Sequence, residues 1–76
     1  MLKIKDSVKY QGKQEIIKYI NFKINSDVID YHCAELEIEF ESGNFYYEEI
    51  TSYDYGIEYI RKKLFDNAEE ILEKIN

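Results

Sequence analysis

The sequence predicts an α+β fold in which a four-stranded antiparallel β-meander carries a long C-terminal α-helix on one face. Three segments within the first 41 residues place apolar side chains at alternating positions, which is the period of a strand, and a fourth, Phe45-Tyr46-Tyr47, is aromatic and strand-prone. Short turn sequences separate these segments, and short connections make successive strands neighbours in a sheet. From Tyr53 onward the apolar spacing changes to three and four residues, which is the period of a helix.

The chain is 76 residues long, which is the size of one domain, and we expect residues 1–76 to fold as a single unit. No proline occurs, and only three glycines are present, so no segment has the composition of a linker. A domain this small buries only about 60% of the surface that its unfolded chain exposes. Its aromatic side chains are therefore expected to supply much of the core.

The first two strands are predicted from apolar residues at even steps with lysines between them. The first runs from Leu2 to Tyr10 and the second from Ile16 to Ile24. Gln11-Gly12 is expected to form the turn between them, and the polar cluster Asn25-Ser26-Asp27 the turn that ends the second strand. The start of the second strand is also compatible with a helical turn.

The third strand, residues 34–41, has the clearest pattern, with apolar side chains on one face and glutamates on the other. The apolar residues are Ala34, Leu36, Ile38 and Phe40, and the acidic ones are Glu35, Glu37, Glu39 and Glu41. A two-residue loop, Ser42-Gly43, would connect this strand to the aromatic segment that follows. That loop predicts a hairpin in which Phe40 faces Phe45 and Ile38 faces Tyr47.

The C-terminal helix is predicted from an apolar stripe that stays in phase over about six turns. The stripe contains Tyr53, Ile57, Ile60, Leu64, Ala68, Ile71 and Ile75. Thr51 or Ser52 is the expected cap. Asp66 and Glu69 have the spacing of a second capping box, which would divide the helix in two. Because the stripe keeps its phase across Asp66, we expect one helix, whose apolar side packs on the third strand.

A strongly bent version of this meander would close into a small barrel. The segments Val8-x-Tyr10-x-Gly12 and Glu41-Ser-Gly-Asn-Phe45, with an isoleucine-rich strand between them, resemble the strand-and-turn rhythm of SH3-like barrels. This resemblance implies the alternative fold, an SH3-like barrel followed by a C-terminal helix.

The middle of the chain is strongly acidic. No lysine or arginine lies between Lys23 and Arg61, so this stretch carries a charge of −10, whereas the whole chain has a net charge of −6. The acids of this stretch are Asp27, Asp30, Glu35, Glu37, Glu39, Glu41, Glu48, Glu49, Asp54 and Glu58, and its tyrosines are Tyr31, Tyr46, Tyr47, Tyr53, Tyr55 and Tyr59. Such a surface repels nucleic acid and anionic lipid, and it attracts basic partners.

Residues suited to catalysis or metal binding are few. His32 and Cys33 are adjacent, and neighbouring strand residues point to opposite faces, so they cannot act together as base and nucleophile. Asp27, Asp30 and His32 lack the spacing of a zinc or calcium site. We therefore expect neither an enzyme nor a bound metal or cofactor. The single cysteine favours a reducing compartment, and we expect a cytoplasmic protein.

Twelve residues form the predicted partner-binding surface. Tyrosine is enriched in the cores of protein interfaces, and carboxylates around it would select a basic partner. The twelve are Glu35, Glu37, Glu39, Glu41, Tyr46, Tyr47, Glu48, Glu49, Tyr53, Asp54, Tyr55 and Glu58. The glutamates also allow a purely structural interpretation, in which Lys3, Lys5 and Lys9 pair with them across adjacent strands.

In size, charge and layout these residues resemble small acidic inhibitors encoded by phages and mobile elements, including anti-CRISPR and DNA-mimic proteins. The resemblance implies a stoichiometric inhibitor that occupies the basic, nucleic-acid-binding site of a partner such as a nuclease effector. We expect no direct binding of nucleic acid or membrane. The alternative is a small structural or regulatory β-module, monomeric or homodimeric through its long helix, and a third hypothesis is a nucleic-acid module that uses the N-terminal lysines.

Overall fold

A computed structural model describes residues 1–75 and shows an open five-stranded antiparallel sheet with one helix packed on it. The elements are β1 (Ser7–Tyr10), β2 (Lys13–Val28), β3 (Tyr31–Phe40), β4 (Phe45–Ser52), α1 (Ile57–Ile71) and β5 (Glu73–Lys74). The strand order is β4-β3-β2-β1-β5. The α+β meander with a C-terminal helix is therefore confirmed. The SH3-like barrel is not formed, because β4 and β5 remain at opposite edges of the sheet.

The long strand β2 contains two irregularities that the sequence did not reveal. The pairing with β3 shifts by one residue between Ile17 and Tyr19 and again between Ile24 and Ser26. The first shift puts Ile17 and Ile20 on the same face, so residues three apart share a side, as they would in a helical turn. This bulge explains why the start of β2 also fitted a helical pattern.

The predicted turn at Asn25-Ser26-Asp27 is wrong, because β2 continues to Val28 and the chain reverses at residues 29 and 30. The polar side chains find partners within the hairpin: the Ser26 hydroxyl donates to the Tyr31 carbonyl at 3.3 Å, and Asp27 Oδ1 lies 2.8 Å from His32 Nδ1. Asp30 takes the left-handed conformation (φ 70°) that the turn requires, which aspartate tolerates better than most residues.

The first strand is shorter than predicted and begins only at Ser7. A tight turn precedes it, in which the Asp6 N–H donates to the Lys3 carbonyl at 3.1 Å and the Lys3 N–H donates to the Asp6 carboxylate at 2.9 Å. Lys5 has a φ of 77° in this turn. Leu2 is nevertheless buried in the core. After α1, the two-residue strand β5 pairs with β1, an element that the sequence analysis missed.

The β3–β4 hairpin exists, but its loop contains three residues rather than two. The Gly43 N–H donates to the Phe40 carbonyl at 2.9 Å, and the Phe40 N–H donates to the Asn44 carbonyl at 2.8 Å. Gly43 has a φ of 95°, the left-handed conformation that ends a three-residue loop of this kind and that glycine adopts without strain.

The longer loop makes the predicted β3–β4 register wrong by one residue. Ile38 lies opposite Tyr46 rather than Tyr47, and Phe45 lies opposite Glu39. A shift of one residue exchanges the two faces of a strand. Tyr46 therefore points into the core, whereas Phe45 and Tyr47 point away from it.

The core lies between α1 and the sheet, and the predicted inward face of β3 is confirmed. Its fully buried members are Val8, Ile17, Ala34, Leu36, Ile38, Phe40, Ile60, Leu64, Ala68 and Leu72. Ile71, predicted to face β3, is half exposed, and Leu72 is buried instead. The helix ends at Ile71 and the chain continues into β5, so the residues at this end no longer follow the apolar stripe that predicted the helix.

The helix is continuous across Asp66, as predicted. The Asp66 carboxylate accepts from Lys62 Nζ at 2.6 Å within the helix and does not cap a second one. It begins later than predicted, at Ile57, with Gly56 at the cap position and no side-chain cap bond. The hydroxyl of Ser52 accepts from the backbone N–H groups of Asp54 and Tyr55. Ser52 thus stabilises the connecting turn rather than the helix, and Tyr53 lies outside α1.

The carboxylate of Glu15 is buried and secures the β3–β4 turn to β2. Asn44 Nδ2 donates to Glu15 Oε2 at 2.9 Å, and the Ser42 hydroxyl donates to Oε1 at 2.7 Å. These hydrogen bonds favour the charged form and lower the pKa of Glu15 below its ordinary value. This contribution to stability is fully present above the unfolded-state pKa of about 4.3 and is lost as the pH falls through the lower folded-state pKa.

Replacing Asn44 with alanine is expected to raise the pKa of Glu15 toward the ordinary glutamate value, which a carboxyl NMR titration measures. The variant should be less stable than the native chain at neutral pH, and the difference should shrink as the pH falls below about 4. Asn21→Ala, the same replacement on the part of β2 away from Glu15, is the control. If the native chain and the Asn44→Ala variant have the same Glu15 pKa in this titration, the account is contradicted.

Candidate protein-binding surface

The sheet face opposite α1, here called the outer face, is not covered by any element of residues 1–75. It is formed by the alternate residues of three adjacent strands that point away from the helix. These are Tyr19, Asn21, Lys23, Ser26 and Val28 on β2, Tyr31, Cys33, Glu35, Glu37 and Glu39 on β3, and Phe45, Tyr47, Glu49 and Thr51 on β4. Tyr53, just after β4, continues this row.

Glu35, Glu37 and Glu39 on β3 do not pair with the N-terminal lysines, because β2 lies between β3 and β1. In register, Glu35 faces Lys23, Glu37 faces Asn21 and Glu39 faces Tyr19. Glu41, beyond the end of β3, is the member of this row that forms an ion pair within the described residues, with Lys5 Nζ at 2.8 Å. The cross-strand ladder with Lys3, Lys5 and Lys9 is therefore wrong.

Like charges meet at the centre of the outer face. Glu35 and Glu49 are directly opposite each other on β3 and β4, an arrangement that destabilises a sheet. Asn25, at the second bulge of β2, donates from Nδ2 to Glu35 at 2.8 Å and to Glu49 at 3.1 Å. Partial burial raises the pKa of Tyr47, and the carboxylates of Glu35 and Glu49 raise it further. The centre thus has a concentrated negative potential.

Exposed aromatic and aliphatic side chains continue this surface at one end of the molecule. Tyr31 and Tyr53 pack with ring centroids 5.5 Å apart, and Tyr55 stacks on Tyr59 at 4.4 Å. At the tip of the β2–β3 hairpin, Ile29 is 88% exposed. Tyrosines and aliphatic groups exposed this densely are typical of contact surfaces.

The structure divides the twelve predicted site residues into four groups. Five lie on the outer face: Glu35, Glu37, Glu39, Tyr47 and Glu49. Glu41 is at its end, paired with Lys5. Tyr53, Asp54, Tyr55 and Glu58 are exposed on the β4–α1 connection and the first turn of α1, close to the aromatic end. The last two, Tyr46 and Glu48, lie on the helix side of β4.

Tyr46 and Glu48, although predicted for the same surface, face the helix and therefore do not belong to the outer face. Tyr46 is only 4% exposed, and its hydroxyl donates to Glu48 Oε1 at 3.1 Å. Asn67 on α1 donates from Nδ2 to both Glu48 oxygens, at 3.1 and 3.2 Å. Burial raises the pKa of Tyr46, and the adjacent Glu48 carboxylate adds to this effect, so the phenol remains a donor. The hydrogen bonds of Glu48 therefore connect β4 to α1.

Three exposed aromatic residues of the outer face were missed by the sequence analysis: Tyr19, Tyr31 and Phe45. Tyr19 alternates with the inward-facing Ile20 and Phe22, so its position on β2 was a usable signal. Phe45 could be placed only once the length of the β3–β4 loop was known. Tyr31 belonged to the segment expected before the third strand, which starts earlier than predicted.

His32 and Cys33 point to opposite faces, as the strand pattern indicates. His32 is paired with Asp27, whereas Cys33 is buried on the outer face and accepts a hydrogen bond from the Thr51 hydroxyl at 3.4 Å. Asp30 lies in the hairpin turn rather than beside them in a shared cluster.

Within residues 1–75, the helix is too short and too polar to cross a bilayer. In comparisons with known proteins, no family model, no curated protein and no solved structure matches this chain.

Proposed function

We propose that this protein binds a basic surface of another protein through its outer face and blocks it stoichiometrically. The observation that carries the proposal is an uncovered sheet face that combines exposed aromatic side chains with carboxylates on neighbouring strands. The aromatic residues are Tyr19, Tyr31, Phe45, Tyr47 and Tyr53, and the carboxylates are Glu35, Glu37, Glu39 and Glu49. Lys23 is the basic residue in register with them.

The spacing of the carboxylates suits a groove that otherwise binds nucleic acid. Along β3, side chains on one face repeat every two residues, about 6.8 Å, and Glu49 adds a charge one strand away, about 4.8 Å. A DNA strand carries one charge per about 3.4 Å of rise. The outer face therefore has a lower charge density than DNA but offers several carboxylates to the same lysines and arginines.

The aromatic side chains would supply contact area that charge alone does not. Buried interface ion pairs contribute mainly specificity and association rate, whereas packed aromatic residues account for much of the affinity. Such a combination favours a protein groove over a flexible polycation. A phage-encoded inhibitor of a nuclease effector, as in the anti-CRISPR proteins, is the form of this function that the small size and the charge layout favour.

A charge-reversal pair tests the proposal. Glu37→Lys/Glu49→Lys changes the outer face, and Glu69→Lys/Glu73→Lys makes the same change of net charge, from −6 to −2, on exposed positions of the helix side. Native and variant proteins are immobilised and exposed to a nuclease-treated cell lysate, and bound proteins are eluted with a mixed-sequence DNA duplex. We expect a partner that DNA displaces and that the outer-face variant retains at least about tenfold less well than the helix-side variant.

Binding by the native chain should also weaken as the ionic strength rises from about 50 to 300 mM, because exposed charges are then screened within about 6 Å. Equal retention by the two variants, or retention unaffected by DNA, would contradict the proposal. A dimer mass for the free native protein would instead favour the homodimeric module.

A further inference from the structure

Within residues 1–75, β4 forms a long edge of the sheet that no other strand pairs with. It has eight residues and pairs on one side only, with β3. The opposite edge of the sheet is formed by β5, which has two residues. A long edge strand presents backbone donors and acceptors that another extended chain can bind.

The register identifies the backbone groups at this edge. The Phe40 N–H donates to the Asn44 carbonyl, and hydrogen-bonded pairs recur at every second residue along an antiparallel ladder. The groups of Tyr46, Glu48 and Ile50 consequently point toward β3. The N–H and C=O groups of Phe45, Tyr47, Glu49 and Thr51 point outward, and they have no hydrogen-bond partner within residues 1–75.

The edge lacks three of the features by which proteins prevent such pairing, namely proline, lysine and a bulge. Edge strands are commonly interrupted by proline, lysine or a bulge. β4 contains neither proline nor a basic residue, and the register shifts of the sheet lie in β2 rather than β4. Its exposed residues at the edge are aromatic, acidic or hydroxylic.

Carboxylates flank the edge on both faces of the sheet. Glu49 lies on the outer face next to Glu35. On the helix side, a groove of about 150 Å³ runs beside the strand and is lined by Glu48, Asn67, Glu70 and Ile71. Since side chains of an added strand would alternate between these faces, one would meet Glu49 and the next would enter the groove between Glu48 and Glu70.

We propose that β4 binds an extended, basic segment of the partner protein as a sixth strand of the sheet. This inference rests on the proposed function and specifies its mode of recognition. Backbone hydrogen bonds to Tyr47 and Glu49 would hold the segment, as in other complexes formed by strand addition. Two consecutive lysines or arginines would direct one cation to Glu49 and the other to Glu48 and Glu70, while Ile71 contacts the aliphatic stem.

A second copy of this chain is a poor occupant of the same edge. Two antiparallel β4 strands can pair through their outward-facing N–H and C=O groups only in every second register, because the backbone groups of neighbouring residues point to opposite edges of the strand. In the two antiparallel registers that overlap most of the strand, a glutamate faces its own counterpart, Glu48 in one and Glu49 in the other. Like charges directly opposite each other destabilise such a pair.

The test uses a capped peptide of about nine residues, long enough to span β4, with a central Lys-Arg pair flanked by alternating threonine and valine. The control peptide has the same sequence with N-methyl groups on both central residues. Neither edge of the extended peptide then has a backbone N–H at its centre that could donate to β4. Fluorescence polarisation against the native protein measures both affinities. We expect the N-methylated peptide to bind at least tenfold more weakly, and we expect the unmodified peptide to slow amide hydrogen exchange at Tyr47 and Glu49.

A second arm changes the edge itself. Tyr47→Pro removes an outward N–H at a position where an edge strand tolerates proline, and Tyr47→Val removes the ring but keeps the N–H. The proline variant should bind the unmodified peptide at least tenfold more weakly than the valine variant, with circular dichroism confirming that both are folded. If the proline variant does not fold, the comparison of the two peptides decides.

Equal affinity for the two peptides, unchanged exchange at Tyr47 and Glu49, or no peptide binding at millimolar concentration would overturn strand addition. These outcomes differ from failure of the proposed function. A partner captured equally by Tyr47→Pro and Tyr47→Val but lost by Glu37→Lys/Glu49→Lys would leave outer-face binding standing. A partner insensitive to that charge reversal would remove the proposed function itself.

Discussion

Ile38→Ala is expected to lower the free energy of unfolding by about 2–5 kcal/mol, because it removes a fully buried side chain from the centre of β3. A domain of this length has a total stability of about 4–11 kcal/mol, at roughly 0.05–0.15 kcal/mol per residue. The variant would therefore be largely unfolded at physiological temperature if the cost lies at the upper end. Urea denaturation followed by circular dichroism measures the change.

Ile24→Ala is the matched control, since it makes the same replacement on the neighbouring strand at a residue that is 49% exposed. We expect it to cost less than about 1 kcal/mol, as the side chain loses little buried area. If the two variants had the same urea midpoint, the inward face of β3 would not be the centre of the core.

Glu48→Lys is expected to destabilise the fold by about 2–3 kcal/mol, whereas Glu49→Lys should change stability by no more than about 0.5 kcal/mol. The two residues are adjacent, but they point to opposite faces of β4. Glu48 accepts hydrogen bonds from Tyr46 and Asn67, and a lysine would leave these donors without their acceptor. Glu49 lies opposite Glu35, so a lysine there would also replace a repulsion with an attraction.

The midpoints of urea denaturation at neutral pH separate these two outcomes, and Glu48→Gln adds a control that keeps an acceptor. Glu48→Gln should lie between the native chain and the lysine variant. Equal destabilisation by the two lysine substitutions would show that both side chains have structural roles, and it would rule out Glu49→Lys as a clean probe of partner binding.

The acidic residues of the candidate site therefore have two different roles, one structural and one on the exposed surface. Sequence proximity groups Glu48, Glu49 and Asp54 together, yet Glu48 stabilises the contact with α1 while Glu49 and Asp54 are exposed. A variant that reversed all three charges would combine a loss of stability with a loss of partner contacts. Charge reversal at Glu37 and Glu49 avoids this confusion.

Strict alternation in residues 34–41 determined which side of β3 would be buried, because a side-chain period of two admits only one arrangement with all apolar residues inside. The apolar spacing around Ile60 and Leu64 likewise determined the inward face of the helix. These patterns are local and long enough to be unambiguous, and with them the α+β class and the acidic outer row of glutamates followed from the sequence.

Only the tertiary structure decided the features that depend on a single extra residue or on a distant partner. One residue in the β3–β4 loop exchanged the faces of β4, burying Tyr46 and exposing Phe45 and Tyr47. The bulges of β2 and the pairing of β5 with β1 depend on hydrogen bonds to strands elsewhere in the chain. Loop length, register and bulges are decided by the balance of those remote contacts, which no local pattern of side chains encodes.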